Sequence, residues 1–202
     1  MRPPTAPFVR SPLRPWLRVC LGLAVGMLVL SVAPQPLRAQ TASREYQIKA
    51  VFIFNFLQFV EWPSSVFSSD SDPIRIGILG DDPFGSSLDE TVQNETIHNR
   101  RLVIQRSHRA DDLKNCQLIF IAKSENRRVD EILPLLDTRP VLTVSEVDDF
   151  ARRGGIIAFY PEGKKVRFEI NSSMALRHGL KMSSQLLGLG RIVGQNANSG
   201  ER

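Results

Sequence analysis

The sequence predicts an α/β fold: a single three-layer domain with a mostly parallel sheet, an antiparallel C-terminal hairpin and helices on both faces. Three observations carry that expectation. Short apolar runs alternate with helix-like stretches between residues 74 and 153, the rhythm of βαβ units whose parallel sheet is covered on both sides. Pro161-Glu162-Gly163-Lys164 separates two strand-like runs and signals a hairpin. Tyr46 to Trp62 is rich in phenylalanine and has the apolar spacing of a helix that packs on a sheet.

In chain order, Tyr46 to Trp62 is expected to be helical and to stop at Pro63, because the residue before a proline is pushed out of the α region. On a helical wheel, Glu61, Phe54, Gln47, Gln58, Val51, Trp62 and Asn55 share one arc. The other arc holds Tyr46, Ile48, Ala50, Phe52, Ile53, Phe56, Leu57, Phe59 and Val60, with Glu45 and Lys49 among them. A length of about 17 residues and a polar far side argue against a membrane span. Ile74 to Leu79 reads as a strand bounded by Gly80-Asp81-Asp82-Pro83. Phe84 to Gln93 offers a short helix with Phe84, Leu88 and Val92 on one face. Leu102 to Gln105, Leu118 to Ala122 and Val141 to Val144 follow as strands, separated by a helical turn over Ala110 to Lys114 and a helix over Arg127 to Leu136.

Glu146 to Arg153 reads as another short helix, ended by Gly154-Gly155. Ile156 to Tyr160 and Val166 to Ile170 then form the hairpin, expected at the sheet edge, with Val166, Phe168 and Ile170 on its dry face. Asn171-Ser172-Ser173 can cap a last helical region running to about Val193, with Met182, Leu186, Leu189 and Val193 on one face and a break at Gly179.

Residues 1–39 have a separate logic. Four arginines and no acid precede the apolar run Val19 to Ala33, which leads to Leu37-Arg38-Ala39 before Gln40. This is the pattern of a cleaved signal peptide, the run being about 15 residues where a span needs roughly 20; an uncleaved anchor is the alternative. Cys20 sits at the start of the run, where a lipoprotein cysteine would follow it. Domain organisation is therefore read as a leader over 1–39, one α/β domain over 40–194, and a disordered tail over 195–202. Five of the 26 basic residues leave with the leader, so 21 basic side chains face 21 acidic ones. A mature chain of balanced charge gives no support for nucleic-acid binding or for adhesion to anionic lipid. Cys116 remains without a partner cysteine, so disulfides do not hold the fold.

Lys49 is the odd member of the apolar arc. An ammonium there either reaches solvent or meets a carboxylate as a structural pair, or it makes a polar contact inside a binding pocket. Val51, Phe54 and Trp62 are the odd members of the polar arc: they either meet a neighbouring loop or form a partner-binding surface.

No motif points to catalysis or to a cofactor. Gly80 to Ser87 has the two-glycine spacing of a phosphate loop, but Ser86 stands where the lysine belongs and two aspartates would face the phosphate, so it reads as a turn and helix cap. His98, His108 and His178 lie in unrelated contexts, and Cys116 is expected to be a buried, inert thiol, so no metal set is expected.

Lys49-Ala50-x-Phe52-Ile53-x-Asn55-Phe56, running into Phe59-Val60-Glu61-Trp62-Pro63, resembles the N-terminal signature of the YfiR-like family. Cys116-x-x-Ile119-Phe120-Ile121, Leu142-Thr143-Val144-Ser145, Gly154-Gly155-Ile156-Ile157-x-Phe159, Arg167-Phe168-Glu169-Ile170-Asn171 and Gly179-Leu180-Lys181-Met182-Ser183-Ser184-Gln185-Leu186-Leu187 follow in the family's order. The resemblance covers about Tyr46 to Val193. It implies a periplasmic α/β protein, not an enzyme, that restrains an inner-membrane diguanylate cyclase by contacting its periplasmic sensor domain and is sequestered by an outer-membrane lipoprotein. Disulfides stabilise the best-known members, whereas this chain keeps Cys116 alone. The partner is thus expected to be the periplasmic domain of a cyclase or a sensor kinase, with a homodimer left open. A periplasmic small-molecule receptor is the alternative, its ligand placed at strand-end loops such as Gly80 to Gly85.

Overall fold

The computed structural model describes residues 37–137 and 139–194, with side chains from Ser43 onward. Of the leader read over residues 1–39, residues 1–36 lie outside the described residues, as does the tail read over 195–202. Helix α1 (Leu37–Phe59) runs directly into the two-residue strand β1 (Val60–Glu61). Then follow β2 (Ile74–Leu79), α2 (Ser87–Val92), β3 (Thr96–Ile97), β4 (Arg100–Ser107), β5 (Leu118–Ile121), α3 (Val129–Leu136), β6 (Leu142–Ser145), β7 (Ile157–Glu162) and β8 (Lys165–Asn171). The chain closes with α4 (Ser172–Arg177), β9 (Lys181–Met182), α5 (Ser184–Leu189) and β10 (Arg191–Val193).

Eight strands make one sheet in the order β10-β8-β7-β6-β5-β2-β4-β3. The run β4-β2-β5-β6-β7 is parallel, as the alternation of apolar runs and helical stretches requires. β8 turns back antiparallel on β7 through Gly163-Lys164, with Glu162 opposite Lys165. β1 pairs antiparallel with β9, which ties the foot of α1 to the C-terminal region.

Even-numbered positions of β2 and β5 face α1, and odd-numbered positions face α3, so the apolar runs are buried on both sides. On the first face Ala50, Ile53, Phe56, Leu57 and Val60 of the α1–β1 segment pack on Ile76, Phe120, Val144, Ile157 and Ile170. The phenylalanines have a specific partner. Phe52 and Phe56 meet Phe159 and Phe168 of the hairpin with ring centroids 5.0–6.0 Å apart, in offset and edge-on arrangements that aromatic quadrupoles favour. On the second face Val129, Ile132, Leu133 and Leu136 of α3 cover Ile119, Ile121, Phe150 and Ala158. The three-layer α/β architecture is therefore present as the sequence predicts.

Five local expectations need correction. The first helix does not continue to Trp62: it ends at Phe59, because Val60 and Glu61 leave it to pair with β9. The hairpin does not end the sheet, because β10 pairs parallel with β8 outside it. Gly190 permits that: a Cβ there would lie 2.7 Å from the Phe168 ring. The last helical region is two short helices separated by β9; Met182 lies in β9, Val193 in β10, and Leu189 is exposed while Leu186 is buried. Glu146 to Arg153 is a series of turns, since Asp149 takes a φ of 56°, which no helix continues through. Ile48, placed by the wheel in the apolar arc, is exposed.

Candidate functional site

Within α1, Tyr46 and Lys49 reach Phe84 and Glu146, which follow the carboxyl ends of β2 and β6, the edge at which open α/β sheets place ligands. Glu45, Tyr46 and Lys49 lie there within little more than one helical turn, and Glu146 follows the last residue of β6. The turn carrying Glu146 is fixed by Ser145, whose hydroxyl donates to the Ile121 carbonyl at 2.7 Å and accepts from the Val147 amide at 3.1 Å. Lys49 is 3% exposed, and its Nζ donates to Glu45 Oε1 and to Glu146 Oε2, each at 2.5 Å. The same ammonium lies 4.6 Å from the Tyr46 ring centroid, and the Tyr46 hydroxyl donates to Glu146 Oε1 at 2.9 Å.

Both oxygens of Glu146 are thus engaged, by a cation and by a phenol, and its side chain is 10% exposed. Burial, followed by the hydrogen bond to Glu146 and that residue's charge, holds the Tyr46 phenol well above its ordinary range. It remains a neutral donor. A buried lysine between two carboxylates and against an aromatic face is a charge joint that fixes α1 on β6. Lys49 is therefore spent on Glu45 and Glu146. The sequence signalled that a carboxylate was needed but not which one, because Glu146 lies 97 positions away.

The carboxyl end of α1 is held differently. Trp62 is half-buried against the α1-side core, and its Nε1–H donates to the Gln117 carbonyl at 3.1 Å. Gln117 is buried, and its side-chain oxygen accepts from the Arg75 amide at 2.7 Å. The structure separates the three apolar residues of the polar arc: Val51 is 49% exposed, whereas Phe54 and Trp62 pack in part on the core. Ile48, 47% exposed and three residues before Val51, joins it on the open side of the helix. The width of the apolar arc was the one hint that some of its members would remain outside.

The strand-end loop at Gly80 is filled by protein. Its amino side meets the 3₁₀ turn Lys123–Arg128, where Ser124 Oγ accepts from the Asp81 amide at 3.0 Å and a Cβ on Gly80 would lie 2.4 Å from that oxygen. Gly80, with φ of 94°, is the residue that allows this approach. An open cleft lies farther out, between α2 and the β3–β4 edge, with Val92, Leu102 and Ile104 as floor and Glu95, Thr96 and Arg101 at the rim. Cys116 is buried, and burial pushes its thiol up to about 11. Among the described residues no three His, Cys, Asp or Glu side chains converge as a metal centre requires, and no helix is long and apolar enough to cross a membrane.

Residues 46–191 match the sequence model of the YfiR/HmsC-like family. The chain belongs to the YfiR/HmsC-like family. That span takes in α1 from Tyr46, every strand of the sheet as far as the first residue of β10, and both joints of α1. The fold is similar to the crystal structure of a conserved domain protein from Vibrio cholerae O1 biovar El Tor str. N16961, with a TM-score of 0.51 and 10% identity. The likeness covers 74% of this YfiR/HmsC-like chain and 60% of that one, and it is a likeness of fold. No curated protein matches the sequence.

Proposed function

We propose that this YfiR/HmsC-like chain is an exported periplasmic binding protein that restrains a membrane signalling enzyme, a diguanylate cyclase by class, by contacting its periplasmic sensor domain. The observation that carries this reading is the family match over residues 46–191, because the best-known members that the sequence resembles are periplasmic regulators of diguanylate cyclases. The chemistry of the candidate site supports it. Lys49, Glu146 and Tyr46 spend their polar atoms on one another and hold a helix in place. The solvent side of that helix then offers Ile48 and Val51 as exposed apolar contacts, with Phe54 and Trp62 flanking them as partly buried support. An outer-membrane lipoprotein is the competing partner that would remove the restraint.

The test is binding of the purified protein to the isolated periplasmic domain of a membrane diguanylate cyclase from the same cell, together with cyclic-di-GMP measured after deletion of the gene. Saturable binding and a rise in cyclic-di-GMP are expected. Unchanged cyclic-di-GMP in the deletion strain sinks the reading. The receptor alternative is weakened at the place that suggested it, since Ser124 and Glu125 close the Gly80 crevice. A rise of several degrees in melting temperature with one metabolite, without any binding to a cyclase domain, would restore it.

A further inference from the structure

His178 caps the C-terminal end of α4 and is 6% exposed. Its Nδ1 lies 2.8 Å from the carbonyl oxygen of Arg139, in the turn that enters β6. A carbonyl oxygen can only accept, so Nδ1 carries a hydrogen. On the opposite side of the ring, Nε2 lies 3.4 Å from Asp137 Oδ1, at the C-cap of α3. That oxygen is buried and has no hydrogen-bond partner among the described residues, whereas Asp137 Oδ2 accepts from Arg177 at 2.6 Å. Both ring nitrogens thus face acceptors. A neutral imidazole has one N–H, satisfies Arg139, and sets its remaining lone pair against a carboxylate. An imidazolium serves both.

The charged groups around the ring come from three places. Asp137 of α3 supplies the carboxylate. Arg177, beside His178 on α4, balances the far oxygen of that carboxylate without reaching the near one. Arg139, before β6, presents its carbonyl to the ring. We propose that His178 is a proton-operated latch: protonated, it holds the α4–β9 turn to the α3–β6 turn through both ring nitrogens, and deprotonated, it keeps the Arg139 carbonyl but loses the attraction to Asp137, which loosens the turn. The turn leads through Leu180, whose amide donates to Ala175 at 2.9 Å, into β9 and on to Ser183, whose amide donates to Phe59 at the foot of α1. Opening the latch therefore loosens β9 against the same end of α1 that Trp62 anchors. The latch stands on the surroundings of His178 and does not depend on the partner proposed above.

The test uses the purified protein, with ring nitrogens of histidine observed by two-bond proton–nitrogen NMR between pH 5 and pH 9. His98 and His108, both exposed, serve as internal references. The neutral His178 ring is expected to carry its hydrogen on Nδ1. Hydrogen exchange at the Leu180 and Ser183 amides, corrected for the intrinsic pH dependence of exchange, is expected to be roughly tenfold less protected at the alkaline end, where the charged contact between ring and carboxylate is lost. Asp137→Asn offers the neutral ring an amide N–H and should bring the two ends of the range within about twofold. A hydrogen on Nε2 in the neutral ring, or equal protection at both ends in the unaltered protein, overturns the latch. Both of those readouts come from the unaltered protein and so hold even where the variant does not fold.

Discussion

The middle of α1 and its carboxyl end rest on the same sheet but are held by different physics. At the carboxyl edge of the strands, Lys49 sits between Glu45 and Glu146 with Tyr46 closing the cluster. At the amino edge, β1 pairs with β9 through the backbone, and Trp62 adds one neutral hydrogen bond to Gln117. The first joint concentrates its energy in a buried charge, so loss of one member leaves the others uncompensated. The second spreads its energy over backbone pairs and apolar contact, so single losses are small. A regulator that must hold the middle of a helix rigid and let its carboxyl end adjust would be built this way.

The strongest way to break the comparison is at Lys49. Lys49→Met leaves the Glu146 carboxylate buried with a phenol but no cation, and should cost about 3–5 kcal/mol of stability in chemical denaturation. Glu45 loses far less, because its side chain is 46% exposed. Adding Glu146→Gln removes the orphaned charge and should recover more than half of the loss. If the double variant is as unstable as the single one, the joint is a packing site and not a charge site.

Alkali probes the same joint. The folded state raises the Tyr46 phenol above its ordinary value near 10, so the unfolded chain releases that proton first. The stabilisation is complete below about pH 10 and is lost as the pH climbs toward the folded value. Denaturation midpoints should therefore fall above that pH, and Tyr46→Phe should flatten the fall. An identical alkaline slope in the variant would place its origin elsewhere.

The amino-edge joint should yield less. Trp62→Phe keeps most of the apolar contact and removes one N–H donor to Gln117, for about 1 kcal/mol. Cys116, the residue before Gln117, reports on the opening: its thiol is buried and pushed up to about 11, so alkylation of the native protein is slow. The substitution should speed that labelling several-fold while the region around Lys49 keeps its hydrogen-exchange protection. Equal acceleration at both ends would show that the two joints open as one.

What the sequence disclosed follows the same division. Local periodicity placed α1, the parallel strands and the hairpin, because their burial pattern is written in neighbouring residues such as Ile76, Ile78, Phe168 and Ile170. It misplaced whatever depends on distant pairing. Met182 and Val193 look helical in their own context, yet β1 and β8 recruit them into strands. Asp149 hides a left-handed turn inside a helix-like string. At the candidate site, Lys49 announced itself by its position in an apolar arc, while Glu146 had nothing local to mark it. Ile48 was hidden by periodicity itself, since a face wide enough to cover the hairpin extends past the edge of what the sheet can bury.

The smallest effect on stability and the most informative for function is expected at Val51. Phe54 and Trp62 are partly in the core, so an aspartate at either would confuse loss of folding with loss of contact. Val51 is half exposed, and Val51→Asp should change stability by no more than about 0.5 kcal/mol. At the centre of an apolar contact, the same charge must be desolvated on binding and should weaken association with a cyclase periplasmic domain about tenfold or more. Ile48→Asp, one helical turn away, should act in the same direction. If both variants fold normally and bind as the unaltered protein does, the open side of α1 is not the contact. The rigid joint at Lys49 would then serve stability alone, and the partner surface would have to be sought where the molecule is free to adjust, around β9 and the turn held by His178.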